Sequence, residues 1–177
     1  MSCLFQDGEE GFPGALLLRL TYSLTDANEL VLDYEATALD QPTVASFTTH
    51  AFFNLNGESA DGPQRDVRSH EVMIAADRYF AATTDLVATG ELLDVAGTPF
   101  DFRQPVLLRE RMPGSDGASM TSAVQGYDNC YLISPAATDV PVLAARVRAP
   151  DSGRVMEVWS TEPAMQFYTG LQAGEPL

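Results

Sequence analysis

Hydrophobic and polar residues alternate along most of the chain with a period of two, which is typical of half-buried β-strands and not of helices. At residues 30–37 and 143–149, apolar side chains recur at every second position and mostly polar ones, including Arg146 and Arg148, lie between them. We predict that these two runs and the following ones are strands: 16–24, 44–55, 71–75, 91–95, 106–110, 130–133 and 155–161.

Residues that favour turns separate these runs. The sequences 25–28 (TDAN) and 151–153 (DSG) each lie between two alternating runs, so each predicts a β-hairpin. Further turns are expected at 56–57, 96–99 and 113–117. No segment combines helix caps with an amphipathic period, and the chain has no internal repeat, low-complexity tract or linker. The pattern therefore predicts an all-β sandwich of long antiparallel strands, with residues 1–177 as a single domain.

The run 44–55 (VASFTTHAFFNL) is the most informative of the predicted strands. One face would be mostly apolar, and the other would present hydroxyl groups together with His50, Phe52 and Asn54. Such a face suits a carbohydrate, whose hydroxyls form hydrogen bonds while its C–H groups pack on an aromatic ring. A single histidine on a strand is more often structural, so the periodicity alone leaves the role of His50 open.

The charge of the chain restricts its partners. It has 25 Asp and Glu residues against 10 Arg and no Lys, which gives a net charge of −15 over 177 residues. Because binding to nucleic acids and anionic membranes begins with the neutralisation of phosphates, we expect neither as a partner. We expect a cytoplasmic protein, since no apolar run approaches the ~20 residues of a membrane span and the N-terminus does not resemble a signal peptide. Two cysteines, Cys3 and Cys130, are too few to indicate a disulfide framework or a zinc site.

Several blocks of the sequence resemble one enzyme family. Residues 48–57 (TTHAFFNLNG) are similar to the N-H-S-Y-F-N-L-x-G signature of the aldose 1-epimerase, or galactose mutarotase, family, and residues 7–14 (DGEEGFPG) resemble its D-G-E-E-G-Y-P-G turn. Further similar blocks follow in the family's order: 20–25, 76–79, 89–91, 97–103, 126–129 and 161–170. Because the blocks are collinear from residue 7 to residue 170, the chain is identified as a member of this family.

The resemblance implies a galactose mutarotase-like β-supersandwich. It also implies the interconversion, without a cofactor, of the α and β anomers of hexoses such as galactose and glucose. His50 occupies the position of the family's general acid, a role that suits an imidazole because it exchanges protons near neutrality. Thr49 and Ala51 replace the usual Asn and Ser beside it, which changes the neighbours of the imidazole but not the imidazole itself.

The same resemblance implies further roles. Asp128 matches an aspartate that binds a sugar hydroxyl, which a carboxylate accepts with charge assistance, and the alternative is a turn residue at a strand entry. Gln166 matches a position close to the sugar, where it binds the sugar or only supports the site. Phe52 is expected to be an apolar wall or ordinary packing. His70 matches a histidine that is not catalytic, and Cys130 is expected to be a small buried side chain.

The resemblance covers only the central portion of the family sequence. The family's sugar-binding Asn-Arg pair and second histidine lie upstream of the matched blocks. Its general-base glutamate lies downstream of the block that ends at Gly170, seven residues before the end of the chain. We therefore expect a supersandwich that is incomplete at both ends and whose activity is impaired or absent as this chain.

Three explanations of this expectation are open: a gene fragment, a split half that needs a complementary polypeptide, and a shortened homologue that binds sugar without catalysis. Unpaired strand edges would favour such a partner or self-association. The alternative function is therefore a non-catalytic carbohydrate-binding or regulatory module related to mutarotases.

Overall fold

The computed structural model describes residues 1–57, 67–83, 85, 87–111 and 126–170. The turn expected at 113–117 lies outside the described residues. Strands make up nearly all of the regular secondary structure of the described residues, and every strand pair is antiparallel, so the all-β prediction is confirmed. The chain divides into two compact units, Met1–Ala51 and Phe52–Leu177. That residues 1–177 form a single domain stays a prediction.

The first unit contains a three-stranded sheet. Its strands are β1 (Ser2–Phe5), β2 (Leu16–Leu24) and β3 (Leu30–Ala38), in the order β1-β2-β3. The pairing of β2 with β3 is unbroken along both strands. In the turn between them, the N–H of Asn28 donates to the carbonyl of Thr25 at 3.1 Å. The hairpin predicted at 25–28 is therefore confirmed.

A tight turn at residues 7–14 precedes β2 and includes the short 3-10 helix Glu9–Gly11. One carboxylate oxygen of Asp7 accepts the N–H of Gly14 at 2.7 Å and the side-chain amide of Gln41 at 3.2 Å. Gly14 has a φ of +83°, and a Cβ built there would lie 3.0 Å from Gln41 Cγ and 3.1 Å from Gln41 O. The turn therefore requires glycine at position 14 for two separate reasons, conformation and space.

The strand predicted at 44–55 is not present. Residues 42–54 have no strand pairing, and within this stretch only Thr43 and Phe47 are half-buried, while the others are exposed. Phe47 stacks on Tyr34 of the same unit, with ring centroids 6.2 Å apart. The prediction was wrong because alternation indicates which side chains would share a face, but it does not supply the neighbouring strand that the backbone must pair with.

The second unit contains two four-stranded sheets. One consists of β4 (Glu71–Ile74), β7 (Val106–Leu107), β9 (Val142–Arg148) and β10 (Val155–Ser160), in the order β10-β9-β4-β7. The other consists of β5 (Arg78–Ala82), β6 (Ala88–Asp94), β8 (Asp128–Leu132) and β11 (Ala164–Tyr168), in the order β11-β8-β5-β6. The hairpin predicted at 151–153 joins β9 to β10 and is confirmed.

The strand predicted at 106–110 ends early. It pairs only over Val106–Leu107, and the chain then enters the short helix α1 (Leu108–Arg111), whose first side chain is buried in the core. That part of the prediction was wrong because Leu108 turns inward, and its N–H donates to the carbonyl of His70 at 2.9 Å. Among the described residues, no helix is long and apolar enough to cross a membrane.

Buried side chains from both sheets of the second unit form one hydrophobic cluster. Val72 and Ile74 of β4 and Ala145 of β9 contribute from one sheet, and Tyr79 and Tyr131 contribute from the other. Since Val72 pairs with a valine of β9 and Ile74 pairs with Ala145, the apolar faces of β4 and β9 are in register. The apolar side chains of the alternating run at 143–149 thus face the core, as the sequence pattern predicts.

Two buried tyrosines anchor this core by their hydroxyl groups. Tyr127 donates to the carbonyl of Arg111 at 2.8 Å, and Tyr131 donates to that of Phe100 at 3.2 Å. Burial raises the pKa of both phenols above the usual tyrosine value. Both rings are therefore neutral hydrogen-bond donors inside the cluster, and they are not candidates for proton transfer.

We predict that Gly14→Ala destabilises the chain more than Gly8→Ala. Both glycines have a φ of +83°, so both alanines would be strained by the backbone, but only the Cβ at position 14 meets atoms of Gln41. This overpacking should lower the free energy of unfolding by about 1–3 kcal/mol more than the control does. Urea denaturation measures both, and equal losses would contradict the close approach of Gly14 to Gln41.

Candidate functional site

The strands β8 and β11 bring two of the predicted site residues onto one face. They pair with Tyr168 opposite Asp128, and Gln166 lies two positions before Tyr168. Because alternate residues of a strand point to the same side, Asp128, Gln166 and Tyr168 share a face of the sheet. Tyr131 and Phe167, which point to the opposite side, belong to the core or pack against it.

Asp128 and Gln166 are directly hydrogen-bonded. The side-chain amide of Gln166 donates to Asp128 Oδ1 at 2.6 Å, while Gln166 is exposed and Asp128 is half-buried. A carboxylate has about four lone-pair sites, and an amide both donates and accepts, so this bond uses only part of the capacity of the pair. The pair can therefore bind hydroxyl groups of a ligand while each member orients the other.

Two aromatic rings lie beside this polar pair. Phe52 packs edge-on against Tyr168, with ring centroids 5.8 Å apart and an interplanar angle of 64°. Phe52 is 62% exposed, so most of its ring surface is not covered by the described residues. Since Tyr168 lies opposite Asp128, this part of the second unit presents a carboxylate, an amide and aromatic rings together.

The backbone of Leu55 fixes the segment that contains Phe52. Its N–H donates to Nε2 of His70 at 3.0 Å. Its carbonyl accepts hydrogen bonds from Ser152 Oγ at 2.7 Å and from the guanidinium of Arg154 at 3.1 Å. These contacts connect Leu55 to the start of β4 and to the β9–β10 hairpin. Although this segment is not a strand, both the N–H and the carbonyl of Leu55 hold it in place through hydrogen bonds.

His70 is a structural residue, as the resemblance implies. Its side chain is buried, at 2% exposure, and its Nδ1 lies 3.0 Å from the carbonyl of Val67. Because the N–H of Leu55 can only donate, Nε2 must accept, and the ring proton is therefore on Nδ1 and is donated to Val67. A neutral imidazole with this tautomer satisfies both backbone groups.

His50 lies in the first unit, on the segment that has no strand pairing, and it is exposed. The ring is therefore outside the hydrophobic interior. A side chain that donates a proton to a ligand must be accessible in this way. Along the sequence it precedes Phe52 by two residues. Its assignment as the general acid stays a prediction that depends on the motif at residues 48–57.

Cys130 occupies the position opposite Gln166 in the strand pairing, on the same face as Asp128. It is half-buried, and burial raises the pKa of its thiol above the usual value. The thiol is therefore protonated and poorly nucleophilic near neutrality, but Cys130 is not the buried side chain that we expected, since it lies half-buried on the face away from the core.

Tyr168 was not predicted from the sequence as a site residue, because the strand at 164–168 was not recognised. Had it been, the spacing of two between Gln166 and Tyr168 would have placed both on one face.

Two adjacent grooves lie elsewhere in the second unit, with volumes of about 370 and 260 Å³, and Arg103, Gln104 and Pro105 line both. The guanidinium of Arg103, which lines both grooves, already faces two carboxylates. Arg103 contacts Asp101 at 2.8 Å, and the pKa of that carboxyl is lowered mainly by this hydrogen bond. The grooves contain none of the predicted site residues, so we do not assign the site to them.

The arginines of β9 that line the second groove are paired as well. Arg148 contacts Glu71 at 3.3 Å, and Arg146 contacts Glu157 at 3.4 Å. Within the part of the chain that the structure describes, no three His, Cys, Asp or Glu side chains cluster so that they could hold a metal ion.

Comparison with known proteins identifies close relatives. The sequence model of the aldose 1-epimerase family matches residues 2–175. A galactose mutarotase from Rattus norvegicus is 39% identical over 164 residues, which cover 93% of this chain and 44% of the relative. An aldose 1-epimerase from Escherichia coli K12 is 38% identical over the same proportions. The chain thus spans less than half the length of the curated relatives it matches.

Solved structures agree with the sequence comparison. A GalM/aldose epimerase homologue from C. elegans superposes with a TM-score of 0.75 at 25% identity, over 93% of this chain and 46% of the other. A galactose 1-epimerase from Lactobacillus acidophilus gives a TM-score of 0.63 at 24% identity, over 82% of this chain and 39% of the other, and supports the fold alone. The mutarotase-like supersandwich fold implied by the motifs is therefore confirmed.

We predict that the same substitution destabilises the chain at His70 but has little effect at His50. His70→Leu would remove the imidazole that the half-buried N–H of Leu55 donates to, while the carbonyl of Val67 keeps the backbone N–H of residue 70, and should lower the free energy of unfolding by about 1–3 kcal/mol. His50→Leu, at an exposed position, should change it by less than about 0.5 kcal/mol. Urea denaturation checks both values, and an equally large loss for His50→Leu would show that His50 is also structural.

Proposed function

The chain belongs to the aldose 1-epimerase family, and we propose that it functions in the interconversion of the α and β anomers of hexoses such as galactose and glucose. The observation on which this proposal depends is the Asp128–Gln166 pair beside the exposed ring of Phe52. These residue types at one place suit a sugar, because it presents hydroxyl groups and C–H groups on adjacent parts of one small molecule.

We assign sugar binding to three residues. Asp128 accepts hydrogen bonds from sugar hydroxyls, and its charge strengthens them. Gln166 orients the carboxylate through the 2.6 Å bond and offers its own carbonyl oxygen to a second hydroxyl. Phe52 contacts an apolar part of the pyranose ring. The family resemblance implies that the reaction needs no cofactor.

We assign the role of general acid to His50. In its protonated form it gives a proton to the ring oxygen while a base removes the proton of the anomeric hydroxyl, and the bond between C1 and the ring oxygen breaks. The resulting aldehyde rotates about the C1–C2 bond. The free hydroxyl then attacks the other face of the carbonyl, returns its proton to the imidazole, and the carbonyl oxygen regains a proton from the base. Atoms and protons balance over the cycle.

We further propose that a polypeptide of these 177 residues binds sugar but exchanges anomers slowly or not at all. The family resemblance places the general-base glutamate downstream of the block at 161–170. The matched residues therefore include the general acid but not the base. The alternative, a non-catalytic carbohydrate-binding or regulatory module, also predicts binding without exchange. The two differ in whether His50 is chemically competent.

An added carboxylate distinguishes these alternatives. With fresh α-D-galactose, polarimetry should show exchange by the chain close to the buffer rate. At high formate concentration, the rate with the chain should exceed the rate of the same formate solution without protein, since formate can act as the base. His50→Gln, which cannot deliver a proton near neutrality, should abolish this excess.

Rapid exchange without formate would contradict the proposed impairment. A formate-dependent excess that survives in His50→Gln would contradict the assignment of His50. Sugar binding with no formate-dependent excess at all would favour the non-catalytic module.

We predict that Asp128→Asn weakens binding of D-galactose at least tenfold, because the substitution removes the charge from the hydroxyl-binding oxygens. Gln166→Ala should weaken it less, since Asp128 remains. Asp33→Asn, on the exposed strand β3 of the first unit, is the matched control and should leave binding unchanged. Titration followed by NMR measures all three, and wild-type affinity in Asp128→Asn would contradict the proposed site.

A further inference from the structure

Tyr168 has no role in the function described so far, yet it lies within the polar and aromatic group of the site. It is directly opposite Asp128 in the pairing of β8 with β11, and it is two positions from Gln166 on the same face. Its ring meets that of Phe52 at 5.8 Å. Tyr168 is therefore adjacent to all three residues to which sugar binding is assigned.

The hydrophobic core does not account for this tyrosine. Its neighbour Phe167 points to the other side of β11 and packs edge-on against Phe102 at 5.6 Å and alongside Tyr127 at 5.6 Å. Met165, on the same side as Phe167, also packs against the core cluster. Tyr168 points away from these residues and is half-buried. The ring of Tyr168 therefore lies on the face of the sheet that contains Asp128.

We propose that Tyr168 is a further sugar-binding residue, which forms with Phe52 an aromatic platform for the C–H face of the pyranose. This inference depends on the proposed function, because it concerns the same site. Aromatic rings attract the weakly polarised C–H groups of a sugar and shield them from water, while the adjacent carboxylate and amide bind the hydroxyls. The platform therefore determines which face of the ring a sugar must present when its hydroxyls reach Asp128.

The platform is held in place before a ligand arrives. Phe52 lies three residues before Leu55, whose N–H and carbonyl are bonded to His70, Ser152 and Arg154. Tyr168 is fixed by its place at the end of a paired strand. A site whose rings are already ordered loses less conformational freedom on binding, so the contact with Tyr168 contributes to affinity and not only to shape.

Substitution of the ring tests the inference. Tyr168→Leu removes the aromatic ring and keeps an apolar side chain, and Tyr168→Phe removes only the hydroxyl. In the full 177-residue chain, Tyr168→Leu should weaken binding of D-galactose about tenfold, and Tyr168→Phe should stay within about twofold of the wild type. Tyr22→Leu, an exposed strand tyrosine of the first unit, is the matched control and should have no effect.

A spectroscopic measurement distinguishes direct contact between Tyr168 and the sugar from an indirect structural role of this residue. Saturation of the protein's aromatic protons should transfer to the C–H protons of bound galactose in the wild type and in Tyr168→Phe, and the transfer should fall markedly in Tyr168→Leu. Circular dichroism confirms that the variants fold. Wild-type affinity and transfer in Tyr168→Leu would overturn this inference alone. Failure of the wild-type chain to bind any hexose would instead overturn the proposed function on which it depends.

Discussion

The backbone of Leu55 is the point on which the candidate site depends. Its N–H and its carbonyl take part in hydrogen bonds with His70, Ser152 and Arg154, which are distant in sequence. A segment outside a sheet lacks the ladder that normally satisfies backbone groups, so these side chains take over that function. One buried imidazole and one hairpin turn thereby keep the neighbouring Phe52 in a defined place. The position of Phe52 therefore depends on these polar backbone contacts as well as on its ring contact with Tyr168.

One face of β11 packs against the core, and the other carries residues of the candidate site. Met165 and Phe167 face the core, and Gln166 and Tyr168 face away from it, beside Asp128. Because strand side chains alternate strictly, a shift of one residue in the pairing with β8 would exchange the two sets and bury the amide and the phenol. The packing of Phe167 among core rings therefore also fixes the register that places Gln166 within 2.6 Å of Asp128. Core stability and site geometry are set by the same pairing.

The sequence was most informative where local chemistry decides the structure. The hairpins at 25–28 and 151–153 were predictable because turn residues and alternation agree there. The strand at 44–55 was not correctly predicted, because pairing depends on a distant partner that alternation does not reveal. The strand at 164–168 and its Tyr168 were missed for the converse reason, since its apolar and polar positions became recognisable only once its pairing with β8 was known. Motifs identified Asp128 and Gln166 as site residues, but they could not predict the hydrogen bond between them, because it depends on the pairing of β8 with β11.

The electrostatics of the molecule also bear on the kind of ligand the site accepts. The chain has a net charge of −15, and the principal polar group of the site is itself a carboxylate. An anionic ligand would be repelled by both, whereas a neutral sugar is affected by neither and gains charge-assisted hydrogen bonds from Asp128. Three arginines of the second unit, Arg103, Arg146 and Arg148, face carboxylates of their own, and the guanidinium of Arg154 donates to the carbonyl of Leu55. This distribution of charge suits the neutral hexose of the proposed function, with the carboxylate–amide pair as its hydroxyl-binding group.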